Sequence, residues 1–280
     1  MKTKLLITSF FLLLTSVTFS QKISVSEINE KRSTSDNSFY NECEIELKIS
    51  GDEVRKYKFV KISKITKAID DQGVDLINED RTNFDYIKID QTAKIKLETK
   101  VPSRRSKTIK ELSGEVSLYN PNVTNGSEIK IANYQTKTNV NLVPGKSDIQ
   151  ILYLTKESYA KYVKENKDKK AEELKKLPEA ARQLAEGLVG AFDGLFSSDN
   201  NDDSNKVYFY VNGDKTKFVD LFFEDATGKK IERNGSMSNN NLFTYYFEEK
   251  PNPNWKLVLN IETDKSTKKV PFKLMDIELP

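Results

Sequence analysis

Apolar and charged residues alternate along much of the chain, and the clearest case is residues 42–49. Every second position there is apolar, occupied by Cys43, Ile45, Leu47 and Ile49, and charged residues fill the positions between. A period of two places these four side chains on one face of a β-strand. The pattern predicts a half-buried strand with Cys43 as a small apolar residue of its inner face.

Two blocks of the chain repeat this pattern in short segments separated by turn residues. In the first block, residues 21–154, we predict strands at 23–31, 42–49, 57–69, 74–77, 93–97, 116–118, 129–131, 140–142 and 149–153. In the second block, residues 206–280, we predict strands at 207–211, 218–224, 229–232, 243–247, 255–261 and 270–274. Short strands joined by turns without helices are typical of β-sandwiches. The sequence therefore predicts a mainly β protein with two sandwich domains.

The hydrophobic period changes between the two blocks, at residues 155–198. Tyr159, Tyr162 and Val163 precede a highly charged stretch, and Pro178 then begins a segment with an apolar stripe. Proline suits the first turn of a helix, so we predict a helical segment broken near Pro178, followed by a polar linker at 199–205. The stripe contains Leu184, Leu188, Phe192 and Leu195. It could pack on a sandwich, mediate self-association or lie on a membrane surface.

The first twenty residues have the pattern of a signal peptide. Lys2 and Lys4 form a positive start, residues 5–17 are mostly apolar, and small residues precede Gln21. The apolar run is shorter than the roughly 20 residues that cross a bilayer. We therefore expect cleavage after residue 20, no transmembrane segment in the mature chain, and a secreted or periplasmic location.

Charge and composition exclude several classes of function. The chain has 45 Lys and Arg against 42 Asp and Glu, so it lacks the excess of positive charge that is typical of nucleic-acid binders. It has no His, which excludes Ser-His-Asp catalysis and His-ligated zinc. Its 11 glycines form no phosphate-binding loop. A carboxylate-dependent hydrolase remains possible in principle, but turns and surfaces account for the adjacent acids. We predict no enzyme activity, no cofactor and no metal.

Three sets of residues are candidates for interactions. Tyr208, Tyr210 and Tyr246 fall opposite the apolar residues of their strands, where exposed rings could stack on a sugar; a second buried face is the alternative. Arg104 and Arg105 lie in the basic loop 100–107, which could contact a protein partner or be a solvated turn. The apolar stripe of 178–196 could form a homo-oligomer.

Three sequence motifs of the chain are similar to those of a known group of proteins. They are the Asp-Asp-Gln-Gly-Val-Asp-Leu hairpin at 70–76, the Leu-Ser-Gly-Glu-Val segment at 112–116 and the C-terminal segment 270–280. A similar Asp-x-x-Gly hairpin recurs at 225–231. With these motifs the chain resembles a group of secreted, uncharacterised bacterial proteins, and its leader and composition are similar to flavobacterial ones. The resemblance implies two immunoglobulin-like β-sandwich domains joined by a helical segment, and it implies no activity.

The combined expectation is a secreted, non-catalytic binding module of the cell envelope that recognises a protein or glycan partner. The alternative is a structural or assembly protein that self-associates through residues 178–196. A carboxylate-dependent hydrolase is the least favoured class.

Overall fold

The computed structural model of the chain describes residues 22–33, 41–78, 80–90, 92–146, 148–176, 203–239 and 241–280. The predicted signal peptide at 1–20 lies outside these residues. So do most of the predicted linker 199–205 and the apolar stripe, with Leu184, Leu188, Phe192 and Leu195. In the part of the chain that is described, no helix is both long enough and apolar enough to span a bilayer.

The part of the chain that the structure describes is mainly β, as predicted, with 51% of those residues in strands, 13% in helical conformations and four antiparallel sheets. One α-helix, α1, comprises Lys156–Leu174 of the described residues. The strands are β1 (Lys22–Lys31), β2 (Glu42–Ser50), β3 (Phe59–Asp70), β4 (Ile87–Lys88), β5 (Ala93–Thr99), β6 (Thr108–Tyr119), β7 (Glu128–Ile131), β8 (Ile149–Leu154), β9 (Lys206–Gly213), β10 (Phe218–Glu224), β11 (Lys230–Ile231), β12 (Gly235–Asn239), β13 (Leu242–Tyr246), β14 (Lys256–Ile261) and β15 (Thr267–Glu278).

The chain divides into two compact units. Unit 1 comprises the residues up to Asn120 together with Lys268–Pro280. Its two sheets have the strand orders β1-β2-β5 and β15-β6-β3-β4. The alternating face predicted for β2 is confirmed, because Cys43, Ile45, Leu47 and Ile49 are all buried. These side chains share one hydrophobic core with residues of the second sheet, among them Ile62, Leu112, Val116, Leu118, Val270 and Phe272.

Unit 2 comprises Pro121–Thr267 and also contains two sheets. Their strand orders are β12-β13-β9-β8 and β11-β10-β14-β7. The core of unit 2 is rich in aromatic rings, and Phe223 lies at its centre with contacts to Tyr134, Phe247 and Trp255 at centroid distances of 4.9, 5.5 and 5.9 Å. Rings bury a large apolar area per residue, which helps a small unit to stabilise its fold.

Each unit contains an edge strand that follows a strand of the other unit in sequence. β7 comes directly after β6 of unit 1 but pairs with β14 of unit 2, where Ile131 lies opposite Leu257. β15 comes directly after β14 of unit 2 but lies beside β6 of unit 1. In unit 1, β15 lies beside β6, which lies beside β3; in unit 2, β7 lies beside β14, which lies beside β10. The edge strands β15 and β7 therefore occupy corresponding positions in their sheets. The two units therefore exchange equivalent edge strands within one chain.

The domain boundaries predicted at 154 and 206 differ from those of the structure. β8 ends at Leu154 and β9 begins at Lys206, yet these strands are paired neighbours in one sheet of unit 2. The segment 155–198 is therefore inserted between two strands of one sheet and does not separate two domains. The predicted C-terminal domain 206–280 also loses its last strand, because β15 belongs to unit 1. The alternation of apolar and charged residues along a strand shows which side of it is buried, but it does not show which strand lies next to it in the sheet.

Local predictions also differ from the structure. The strand predicted at 74–77 is only a single bridge, from Asp75 to Ile69. Residues 140–142 form a single bridge, from Asn141 to Leu152, rather than a strand, and Val140 is exposed. β12 was not predicted, because its sequence Gly-Ser-Met-Ser-Asn contains no alternation of apolar and charged residues. It is a strand because it pairs along its whole length with β13.

Candidate binding surfaces

Helix α1 begins with a capped first turn next to the outer face of a sheet. The Thr155 hydroxyl accepts a 3.1 Å hydrogen bond from the backbone N–H of Ser158, which satisfies one of the unpaired donors of the first turn. The apolar residues predicted for this helix, Tyr159, Tyr162 and Val163, face a small cluster on the sheet. That cluster contains Leu152, Leu154, Tyr208 and Leu242. The start of the helix therefore covers the sheet of β8, β9 and β13.

The rings proposed as an exposed platform are covered by this helix. Tyr208 packs against Tyr159 with centroids 4.3 Å apart and the rings tilted by 30°, and Tyr210 stacks on Tyr162 at 4.5 Å with the rings 16° from parallel. The Thr244 hydroxyl also donates a hydrogen bond of 3.2 Å to the Tyr159 hydroxyl. Only 8% of Tyr208 is exposed. The prediction of an open ring surface is therefore wrong for Tyr208, and the alternative of a second buried face describes it.

Tyr246 lies on the same face of the sheet, where it is half-buried. Its ring lies 5.7 Å from the Lys206 ammonium, which is within the range of a cation–π contact. Tyr246 is paired with Lys206 in register, two positions along β13 from the pair of Thr244 and Tyr208. The three predicted tyrosines thus share a face, but α1 stacks on two of them and a lysine lies over the third.

The basic loop is anchored by the carboxylate of Asp70. Oδ1 of Asp70 accepts hydrogen bonds from the backbone N–H groups of Gln72 (3.0 Å) and Val74 (2.8 Å), which closes the hairpin after β3. Oδ2 accepts from the backbone N–H of Ser103 (2.8 Å) and from the hydroxyl of Ser106 (2.6 Å). One buried carboxylate therefore ties the hairpin to the loop that carries Arg104 and Arg105.

Further contacts fix the ends of this loop. The backbone N–H of Lys107 donates to Asp71 Oδ2 at 3.1 Å, and the Arg32 guanidinium donates to the Pro102 carbonyl at 3.0 Å. The backbone N–H of Ser106 donates to the Ser103 carbonyl at 2.9 Å, so residues 103–106 form a closed turn. These bonds restrain the backbone on both sides of the two arginines.

Arg104 and Arg105 occupy the two central positions of this turn and both are exposed. Neither guanidinium makes a hydrogen bond or ion pair with any residue that the structure describes. Arg233 gives a contrast, because it donates to the Leu221 carbonyl, pairs with Asp220 and lies over the Tyr245 ring. The turn thus presents two unpaired guanidinium groups on a restrained backbone. We refer to residues 103–106 as the basic turn.

The acids beneath the basic turn have structural roles. Burial would by itself raise the pKa of Asp70, but hydrogen bonds from Ser106, Ser103, Val74 and Gln72 outweigh it and hold the pKa below its usual value. The backbone N–H of Lys107 likewise lowers the pKa of Asp71. A general acid of a hydrolase needs a raised pKa at neutral pH. Neither carboxylate of this adjacent pair has such a raised pKa.

No protein-family model, curated protein or solved structure matches this chain. Within the described ranges, no cluster of three or more Cys, Asp or Glu side chains could hold a metal ion. The functional interpretation of the molecule therefore depends on its own contacts.

Charge along the sequence singles out Arg104 and Arg105 as candidates, but it does not indicate which residues restrain their backbone. Asp70 was visible only as a turn residue, since the loop it binds lies more than thirty positions further along the chain. The matching hairpin makes the difference plain: Asp225 Oδ1 accepts from the N–H groups of Thr227 (2.8 Å) and Lys229 (3.0 Å), as Asp70 does in its own turn. Asp70 differs from Asp225 in that it also accepts hydrogen bonds from Ser103 and Ser106 of the basic loop. The residues around Asp70 in the sequence do not indicate these contacts.

Proposed function

We propose that the protein is a non-catalytic binding module of the cell envelope, secreted or periplasmic, which contacts an anionic partner through the basic turn. The observation that carries this proposal is the restrained pair of unpaired guanidinium groups, Arg104 and Arg105. A backbone held in place before binding loses less conformational entropy on association. Arginine is also enriched among the residues that dominate binding energies.

The chemistry of the turn favours carboxylate-bearing partners. A guanidinium group offers planar, paired donors that match a carboxylate in a bidentate arrangement. An acidic protein surface or an acidic polysaccharide of the envelope presents such groups. The stacked tyrosines favour the protein partner over a neutral glycan, because α1 already occupies the ring face.

The two units are proposed to be immunoglobulin-like β-sandwiches. This interpretation is supported by the paired sheets around each core and by the matching hairpins at Asp70 and Asp225. In both hairpins a glycine with positive φ follows three positions after the aspartate, Gly73 at 80° and Gly228 at 85°. In such folds loops at the ends of the strands commonly carry function, while the sheets provide the scaffold.

The experiment is a pull-down from an envelope extract with residues 21–280 as bait. The wild-type bait is compared with Arg104→Ala/Arg105→Ala and with the matched control Lys229→Ala/Lys250→Ala, which removes two exposed positive charges elsewhere. We expect a defined partner on wild type and control that is lost from the arginine variant. The partner should also be displaced by added salt and by polyglutamate, since exposed charges are screened.

The result that would overturn the proposal is equal recovery of the same partners by the arginine variant. Equal loss from both double variants would mean that only total charge matters, which also contradicts a specific turn. Circular dichroism of all three baits establishes that they are folded.

A further inference from the structure

Of the eight edges that the four described sheets present, seven are protected against pairing with another chain. β4 and β11 have two residues each and β7 has four, which is too short to offer a useful template. β15 carries Pro271 and three lysines, and β1 has a bulge between Val25 and Glu27. Proline, charge and bulges are the usual means by which exposed edges avoid association.

The remaining two protected edges are covered by backbone or side chains from their own unit. Along β8, the N–H of Asn139 donates to the Tyr153 carbonyl at 2.7 Å, and the N–H of Leu142 donates to the Ile151 carbonyl at 2.8 Å. Beside β5, the Thr82 hydroxyl donates to the Glu98 carbonyl at 3.2 Å.

β12 is the eighth edge, and it has none of these features. It pairs with β13 over five consecutive positions without a bulge, and its sequence, Gly-Ser-Met-Ser-Asn, contains no charge and no proline. No residue in the described part of the chain pairs with its outer side. A regular, uncharged edge of this kind is open to addition of another strand.

We propose that β12 pairs with β12 of a second copy, in antiparallel orientation about a two-fold axis at Met237. This register places Ser236 opposite Ser238, Gly235 opposite Asn239, and Met237 opposite its own counterpart. The strand is therefore complementary to itself, as a two-fold interface requires. Because no position is charged, no like-charged pair is formed across the axis.

The side chains favour a second copy over a foreign peptide. Recognition of a foreign strand depends on pockets for its alternate side chains, whereas the small residues Gly235, Ser236 and Ser238 provide little to select one. Self-pairing instead brings together two half-buried Met237 side chains, whose flexible thioethers pack readily against one another. The pairing joins two four-stranded sheets and uses neither the basic turn nor residues 178–196.

Disulfide trapping in the full chain tests the register. Met237→Cys is made with Cys43→Ala, so that the buried native thiol is absent. Residues facing each other across an antiparallel pair lie about 4.5–5.5 Å apart at Cα, within the range of a disulfide. We expect mild oxidation to give a covalent dimer. The control is Asn29→Cys in the same background, an exposed position on bulged β1, which should remain monomeric.

Analytical ultracentrifugation tests the interface without engineered cysteines. We expect the wild-type chain to form a dimer and Ser236→Lys/Ser238→Lys to be monomeric, because each new lysine faces a lysine of the second copy. Ser236 and Ser238 are exposed, so the variant should fold, and its circular dichroism establishes this. A monomeric wild type would overturn the proposal. So would a dimer that persists in the lysine variant while the Met237→Cys variant forms no covalent dimer.

Discussion

The Ser106 hydroxyl donates a 2.6 Å hydrogen bond to the carboxylate of Asp70, 36 residues earlier in the chain. The bond joins a hairpin to the basic turn within unit 1. Because Asp70 is only 1% exposed, its oxygens depend on these donors in place of water. The position of the two arginines is thus set by a residue that is itself inaccessible to a partner.

Replacing this carboxylate should destabilise the fold. In Asp70→Asn an NH₂ group faces donors that previously met an oxygen, and we expect the free energy of unfolding to fall by about 1–3 kcal/mol. Urea unfolding measures the change. Asp225→Asn is the matched control, since Asp225 makes the same turn contacts, and its effect should be smaller. Equal effects of the two substitutions would contradict an anchoring role for Asp70.

The same carboxylate should make stability depend on acid pH. The pKa of Asp70 in the fold is lowered, so its ionised form stabilises the protein above the unfolded pKa of about 3.9. This contribution is lost as the pH falls from the unfolded pKa to the lower folded one, because over that range the unfolded chain takes up a proton that the folded state does not yet bind. Urea unfolding at a series of pH values should give a shallower acid slope for Asp70→Asn than for wild type. Parallel slopes would exclude this linkage.

The tyrosine stacks should contribute to stability rather than remain available to a ligand. Tyr208→Ala removes a nearly buried ring that packs against Tyr159, and we expect a lower Tm by thermal circular dichroism. Tyr246→Ala, which removes a half-buried ring on the same face, should lower the Tm less. An unchanged Tm for Tyr208→Ala, together with lost retention on immobilised polysaccharide, would restore the ring surface as a glycan site.

The last strand of the chain should stabilise the first unit. Phe272 of β15 lies in the core of unit 1, and Phe272→Ala should cost about 3–5 kcal/mol. Met275→Ala on the same strand is the control, because that side chain is 47% exposed and should cost about 0.5 kcal/mol or less. Hydrogen exchange should accelerate in β3 and β6 but not in β13. Faster exchange confined to unit 2 would contradict the strand assignment.

A glycine in β6 should not tolerate a side chain. A Cβ at Gly114 would lie 2.3 Å from the carbonyl oxygen of Lys64 and 3.0 Å from Cζ of Phe272. The first of these atoms is backbone and cannot move aside easily, so Gly114→Ala should lower the free energy of unfolding by about 1–3 kcal/mol. At Gly145 no heavy atom lies within 4 Å of an added Cβ. Gly145→Ala should therefore have little effect on the urea midpoint.

The sequence allowed individual strands to be predicted far better than their partners. The alternation around Cys43 gave both the strand and its buried face, because a period of two is a local property. The exchange of β7 and β15 left no local trace, since both strands read as ordinary continuations of the block before them. The domain boundaries at 154 and 206 were wrong for the same reason.

The candidate site was predictable to a similar degree. The cluster of positive charges indicated the loop with Arg104 and Arg105, and the Asp-x-x-Gly pattern indicated the turn at Asp70. No feature of the sequence near either segment shows that the loop and the turn are in contact. The face of Tyr208 and Tyr210 was also correctly assigned from alternation. Its cover by α1 was not foreseen, because the tyrosines of the helix and those of the strand are more than forty positions apart.

The position of β15 also determines when unit 1 can finish folding. Synthesis begins at the N-terminus, so β1 to β6 leave the ribosome long before the strand that borders β6. Domains usually fold in order as the chain emerges. Here the first unit has to wait for β15, which is among the last parts of this sequence to be made. The nascent first unit therefore stays incomplete until the second has been synthesised.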